Sequence, residues 1–370
     1  MRVDFYNFKY VPEEMKILWS KAFNNCLQGG QFIGGNSVAT FENKFSEVFG
    51  TRFSIGVSNG FDGLVLALRA LDIGKGMKVA LPAHTFIATW NAVIAVGATP
   101  VGVEVSEDAQ IDIIALKNIL NQEKIDCVIP VHMHGHVSDL KMIRKLCEPM
   151  HIPIIEDASQ AHLAYRDELQ AGCVGDIGVF SLYPTKNLGA LGDAGVVVTD
   201  REELARKIKS LRNYGADENS KYHHSVLGFN CRLDAIQASI LTENLNFLPK
   251  WNRDRIRMAE IYKNEMLDLN IDFLRGGVGS VWHHFCIFSE KRDALRAHLE
   301  KNGVGTDIHY PNLAAHEAQQ FMGLKKERYP QAERIAATIL SLPISPFHDD
   351  EMIEFVCKVI RAGRANENLF

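Results

Sequence analysis

The chain has no CxxC pair, and its seven cysteines (Cys26, Cys127, Cys147, Cys173, Cys231, Cys286 and Cys357) fall at irregular intervals along 370 residues. An odd, unpatterned set argues against a disulfide framework and reads as free thiols in a reducing compartment. Charge of one sign is missing too. Lys and Arg number 40 against 45 Asp and Glu, a net of −5, which offers no basic face to nucleic acid or an anionic membrane. The most apolar stretch, Phe86 to Val103, is broken by Asn91, Gly97 and Pro100, so it reads as a buried helix plus a strand and not as a membrane span. The opening residues, MRVDFYNFKY, lack the apolar segment of a signal peptide. A cytoplasmic protein is expected. Repeats, low-complexity tracts and long polar linkers are absent from the sequence.

What is present is alternation. Strand-like runs at 53–57, 78–82, 101–105, 126–131 and 152–155 are separated by helical patterns. One helix is expected from Thr85 to Val96, closed by Gly97. Another is expected after Ser138 as its cap, and a third after Asp200, with Glu203 completing a capping box. Strands alternating with helices predict an α/β fold with a mostly parallel sheet covered on both faces. Two further runs, 175–180 and 195–198, are joined without a helix, so at least one antiparallel pair is expected there. A long amphipathic region from Leu233 to about Met266 is interrupted at Pro249. That break places a boundary between a large domain, 1–248, and a smaller C-terminal α/β domain, 249–370. In the latter, strands are expected at 282–288 and 306–309.

Between those two runs lies FSLYPTKNLGALGDAG, which presents one lysine, Lys186, framed by Pro184, Gly189 and Gly192. The glycines are expected to supply unusual backbone angles and the proline a stiff approach. About thirty residues earlier the strand Ile152–Ile155 runs into Glu156-Asp157. In open α/β sheets, ligands sit beyond the carboxyl ends of strands, so Asp157 is placed to meet one. A carboxylate and an amine at the same sheet edge are the two groups that pyridoxal phosphate requires. The amine forms a Schiff base with the aldehyde, and the carboxylate keeps the pyridine nitrogen protonated. A phosphate cradle is offered by Ser58-Asn59-Gly60-Phe61-Asp62-Gly63 at a strand-to-helix turn.

Longer segments carry a family resemblance. GQFIGG, FENKFSEVFG, PAHTFIATWNAV, IEDASQAH, GDIGVFSLYPTKNLGALGDAG, GFNCRLDAIQASIL, IHYP and SLPISP occur in order along the chain. In these the sequence resembles the pyridoxal-phosphate sugar aminotransferases of the DegT/DnrJ/EryC1/StrS family, which have the aspartate aminotransferase-like fold (fold type I). The resemblance implies that Lys186 is the cofactor-bearing lysine and proton carrier, and that Asp157 pairs with the pyridine nitrogen. Gln160 would contact the ring hydroxyl and Phe86 would stack on the ring. Ser181, with the backbone of Gly60, Phe61 and Asp62, would hold the phosphate. Asn230 would reach the phosphate of a second subunit, making a homodimer with shared active sites. Two positions depart from the family pattern. Phe61 stands where a small residue is usual, and His162-Leu163 replaces the usual His-Gly.

The form NLGALGDAG after the lysine resembles enzymes that aminate C-3 of dTDP-linked 3-keto-6-deoxyhexoses. Tyr183, His309 and Tyr310 match positions that surround the hexose there. The implied reaction uses pyridoxal 5'-phosphate, with pyridoxamine phosphate as its intermediate form, an amino donor such as L-glutamate, and a nucleotide-linked keto sugar. Lys221 and Arg253 are lower-ranked candidates for the diphosphate. The alternatives are a C-4 nucleotide-sugar or a keto-inositol aminotransferase. A regulatory protein on the same fold would be expected to have lost the lysine or the aspartate, and a C-3 dehydratase to carry histidine at 186. The run His132-Met133-His134-Gly135-His136 would put three imidazoles on one face if it were a strand, but no Cys or carboxylate beside it in sequence completes a metal set. His283 and His284 read as structural residues of a C-terminal strand.

Overall fold

Strands that read as unbroken apolar runs are expected to be buried on both faces, and in this protein they are. The computed structural model describes residues 1–217 and 222–364. Two helices, α1 (Glu13–Gly29) and α2 (Gly35–Phe49), come first. Then follow β1 (Phe53–Val57), α3 (Gly60–Ala70), β2 (Lys78–Pro82), α4 (Ile87–Ala95), β3 (Thr99–Val103), α5 (Ile113–Gln122), β4 (Cys127–Val128), α6 (Leu140–Cys147) and β5 (Ile155–Asp157). A short hairpin, β6 (Tyr165–Arg166) and β7 (Leu169–Gln170), leads to β8 (Ile177–Ser181) and β9 (Gly195–Thr199). Next come α7 (Glu202–Leu211), α8 (Ala235–Asn244) and α9 (Leu248–Asp268). The rest comprises β10 (Phe285–Phe288), α10 (Arg292–Lys301), α11 (Ala314–Phe321), α12 (Pro330–Thr338), β11 (Ile339–Leu342) and α13 (Asp350–Arg364).

The strands lie in the orders β3-β2-β4 and β1-β9-β8-β5. Parallel bridges Val128–Ile154 and Val131–Asp157 join β4 to β5, giving one mixed sheet. Within it, among the described residues, β9 alone runs against its neighbours, pairing antiparallel with both β1 and β8. The antiparallel pair expected around Lys186 is therefore found. Parallel neighbours deliver their carboxyl ends to the same edge, which is what gathers a site.

Several local expectations are corrected. Asp139, not Ser138, caps α6, accepting from the Met142 N–H at 3.0 Å. The Ser138 hydroxyl instead bonds the Gln110 side chain and the Val131 carbonyl. Asp200 is drawn away from the α7 cap because its carboxylate accepts from the Arg52 N–H at 2.8 Å. Pro249 does not interrupt a helix but sits in the first turn of α9, where its missing N–H costs nothing. The run 126–131 shortens to the two-residue strand Cys127–Val128 and a lone bridge at Val131. At 306–309 a single bridge, Asp307–Ser341, replaces a strand, and β10 pairs with β11.

The motif FENKFSEVFG becomes an aromatic stripe. Phe41, Phe45 and Phe49 recur every fourth residue on α2, with Phe45 and Phe49 stacked at 3.9 Å. Phe180 of β8 meets both edge-on at 5.4 and 5.0 Å. A second core gathers Met258, Tyr262, Phe285, Leu340 and Ile353, and Val3 from the chain's start belongs to it. That N-terminal segment is pinned by a Val3–Val304 bridge, by His348 Nε2 against the Asp4 carbonyl at 3.1 Å, and by the Tyr6 hydroxyl donating to the Pro184 carbonyl. All seven cysteines are unpaired, and all but Cys173 are buried.

One buried carboxylate fixes the middle of the sheet. Glu156 accepts from the N–H groups of Gly172, Val174 and Gly175 at 2.6–2.7 Å, and its Oε2 lies 2.8 Å from His132 Nε2. Glu156→Gln would turn an amide N–H₂ toward those donors. Urea unfolding should show a loss of about 3 kcal/mol; a loss within experimental error would show that the network is dispensable.

Candidate active site

Beyond the carboxyl ends of β1, β2, β4, β5 and β8 lies a cavity of about 500 Å³. Asp157 enters it at the last residue of β5 and Ser181 at the last residue of β8. The turn after β8 brings Lys186 back, its N–H donating to the Tyr183 carbonyl at 2.8 Å. Gly60 and Phe61 enter at the start of α3, and Phe86 as the residue preceding α4. From the other side of the chain come His283, His284, His309 and Tyr310.

Lys186 is half-buried. Burial lowers its amine from the ordinary 10.5 to about 8, with the Asp157 carboxylate opposing the shift. A nucleophilic amine needs such a shift, since only the neutral form attacks. Asp157 is buried. Its Oδ2 accepts from the Thr89 hydroxyl at 2.8 Å and its Oδ1 from the Ser159 N–H at 3.2 Å. Both oxygens retain lone pairs for a ligand. Thr89 was not singled out from sequence, although it lies three residues after Phe86 and so on a related helix face.

The glycines near Lys186 do not work as expected. Neither Gly189 nor Gly192 has a positive φ. Gly189 is required for space instead, because a Cβ there would stand 2.3 Å from the Pro184 carbonyl oxygen. Gly60 has the same reason: a Cβ would meet the Ser181 Cβ at 2.9 Å. That close approach seats the start of α3 against the end of β8. The first N–H groups of a helix lack intrahelical partners, so those of Gly60 and Phe61 are free. The Asp62 N–H is not, since it donates to the Asn59 side chain at 2.8 Å. The Asp62 carboxylate accepts from the Ser58 hydroxyl and Asn59 Nδ2. Asp62 thus shapes the turn without lining the cavity.

Gln160 Oε1 accepts from the His134 N–H at 2.7 Å, and its Nε2 donates to the Tyr310 hydroxyl at 3.2 Å. Phe86 is 52% exposed, with its ring 5.3 Å from that of Tyr310, so an open aromatic face borders the cavity. Tyr183 is likewise exposed and lines it. His309 Nδ1 lies 2.9 Å from the Ser341 hydroxyl, and burial lowers its ring to about 4. Asn230 is exposed and outside this lining, and Lys221 lies outside the described residues. Leu163 holds φ 63°, the left-handed value a glycine would take, so the turn is kept at a cost of roughly 1 kcal/mol.

The histidines of 132–136 are parted rather than convergent. His134 has φ 60° in a tight turn, which turns His132 to Glu156, His134 to His284 and His136 to Trp282. The His283-His284 pair, expected to be structural, instead forms part of the cavity wall. Its location depends on tertiary packing and had no local signal.

The sequence profile of the DegT/DnrJ/EryC1/StrS aminotransferase family matches residues 15–361. The dTDP-3-amino-3,4,6-trideoxy-alpha-D-glucose transaminase of Streptomyces venezuelae is 38% identical, covering 93% of this chain and 92% of its own. A UDP-N-acetyl-3-dehydro-alpha-D-glucosamine 3-aminotransferase of Acidithiobacillus ferrooxidans is 39% identical, with 90% of each chain covered. The crystal structure of Streptomyces venezuelae DesV in complex with a ketimine intermediate superposes with a TM-score of 0.93, at 37% identity over 98% of both chains.

The lowered amine makes a pH prediction. Capture of pyridoxal phosphate by cofactor-free protein, followed by visible absorbance, should quicken with rising pH and level off above about 8. A rate still climbing toward 10.5, the ordinary lysine value, would show that Lys186 is not shifted.

Proposed function

Since the chain belongs to the DegT/DnrJ/EryC1/StrS aminotransferase family, we propose that it transfers an amino group from glutamate to C-3 of a dTDP-linked 3-keto-6-deoxyhexose. The cofactor is pyridoxal 5'-phosphate, alternating with pyridoxamine phosphate. The site fits that group: a free, depressed amine, a carboxylate with spare lone pairs and two open N–H groups at a helix start border one cavity. When bound, the cofactor supplies an electron sink for the carbon that loses or gains a proton.

The protein's own groups do the rest. Asp157, held by Thr89 and Ser159, keeps the pyridine nitrogen protonated. Gly60 and Phe61 N–H groups and the Ser181 hydroxyl hold the phosphate, helped by the partial positive charge of the α3 start. Gln160 addresses the ring hydroxyl and Phe86 covers the ring face. Lys186 Nζ would take and return the proton at the sugar C-3, and an amine lowered to about 8 suits it to both directions.

The observation that carries the substrate reading is the polar, uncharged wall opposite. His283, His284, His309 and Tyr310 offer hydroxyl and imidazole groups, and no arginine is among the described residues lining the cavity. Enzymes built around amino-acid substrates alone clamp the α-carboxylate with arginine, whereas a hexose calls for neutral partners. C-3 is favoured because both named relatives act at that carbon.

The working unit we propose is a homodimer, with Asn230 of one copy completing the phosphate site of the other. Phe32, Ile33, Val226 and Leu227 are exposed, and the segment around Phe32 is hydrogen-bonded to the start of α8, near Asn230. Large apolar side chains left open on two segments that lead to α8 fit an association surface.

Lys186→Ala should abolish amino-sugar formation from enzymatically generated keto sugar and glutamate. Asp157→Asn should lower kcat by about a hundredfold or more. A wild-type protein that yields no amino sugar with C-3 keto nucleotides defeats the substrate reading. Mixing Lys186→Ala chains with Asn230→Ala chains should restore activity above that of either alone, and failure to do so would argue against a shared site.

A further inference from the structure

We infer that His284 is a specificity-determining residue whose imidazole N–H donates a hydrogen bond to a ring hydroxyl of the sugar. The inference rests on the sugar aminotransferase reading above. His284 is 6% exposed and lines the same cavity as Lys186. Its ring stacks on that of His309 at 3.8 Å and 14°. Phe5 backs both rings, at 6.4 Å from His284 and 5.6 Å from His309. The wall is therefore a pile of aromatic rings, with its positions set by packing rather than by charge.

The hydrogen on His284 can be assigned from its neighbours. His284 Nδ1 lies 3.2 Å from His134 Nδ1, and only one proton fits between two such nitrogens. Burial pushes both rings well below their ordinary range, so both are neutral. If His284 donated, His134 would carry its hydrogen on Nε2, which is buried with no partner. An orphaned buried N–H is rarer than an orphaned acceptor. His134 therefore donates from Nδ1 and leaves a bare lone pair at Nε2. The Cys286 thiol, 3.6 Å from that same Nδ1, has an alternative acceptor in the Ser341 hydroxyl at 3.3 Å. With its Nδ1 accepting, His284 must carry its hydrogen on Nε2. That atom makes no hydrogen bond among the described residues and is not among the enclosed orphan atoms, so it is open to the cavity that His284 lines.

A fixed, neutral donor on the wall of a sugar pocket discriminates by omission. A ligand with a hydroxyl oxygen there satisfies it, and a deoxy analogue leaves a desolvated N–H unpaired. His309 differs, since its Nδ1 faces the Ser341 hydroxyl, which can donate or accept and so does not fix where that ring carries its hydrogen.

The test separates the donor from the ring. His284→Phe keeps an aromatic surface under His309 without an N–H, while His284→Gln keeps an N–H donor without the ring. Each holoenzyme is first checked for visible cofactor absorbance and for its bleaching by glutamate, which together show that the variant still folds and takes up cofactor and amino donor. Reverse transamination is then measured with a dTDP-3-amino-3,6-dideoxyhexose and its 2-deoxy and 4-deoxy counterparts. Wild type should prefer the parent over one of the two deoxy sugars by about tenfold in kcat/KM. His284→Gln should keep most of that ratio and His284→Phe should bring it near unity. Wild type that uses all three equally, or His284→Phe that discriminates as wild type does, overturns the inference. A wild-type enzyme that bleaches with glutamate yet ignores every amino sugar overturns the substrate reading instead.

Discussion

The geometry of the site depends on a carboxylate that never touches it. Glu156 and Asp157 are consecutive residues of one strand, so their side chains leave by opposite faces. On one face Glu156 draws in three backbone N–H groups of 172–175 and the ring of His132. Those bonds lock β5 to the turn before β8 and to the chain beyond β4. On the other face Asp157 is held at the cavity by Thr89 and Ser159, with lone pairs to spare. A buried charge is tolerated only when its lone pairs are filled, and filling these with backbone donors turns a costly group into a positioning device.

Lys186 is governed by space. The turn that presents it folds tightly enough that Gly189 lies against the Pro184 carbonyl with no room for a side chain. The amine is then left half-buried among neutral imidazoles, with one carboxylate to attract a proton. Desolvation exceeds that attraction, as the lowered amine shows. A lysine in such surroundings can be both a nucleophile and a proton carrier near neutral pH.

Much of this was legible in the sequence because it is local. The strand-helix alternation, the antiparallel pair flanking Lys186, and the arrival of Asp157 and Lys186 at one edge follow from patterns a few residues long and from the rule that ligands meet strand ends. Misreadings came where another partner, distant or near, claimed a group first. Asp200 looks like a helix cap, but Arg52 claims its carboxylate. Asp62 looks like a phosphate donor, but Asn59 takes its N–H. His283 and His284 carry no mark of a binding wall, because the elements facing them (the 309–310 turn and the chain's start) are remote in sequence. The family resemblance supplied Tyr310 and His309 where pattern alone could not.

The N-terminal segment adds a timing constraint. Phe5 backs the imidazole wall, and its neighbours are fastened to Val304, His348 and Pro184. The ribosome therefore makes the rear of the pocket well before its anchors, Pro184 coming midway and Val304 and His348 far later. At a translation rate of about 5–20 residues per second, the opening segment waits on the order of half a minute for a place to dock. Lys186 and Asp157 are made well before His283, His284, His309 and Tyr310, so a nascent chain could form one side of the pocket before the wall that faces it.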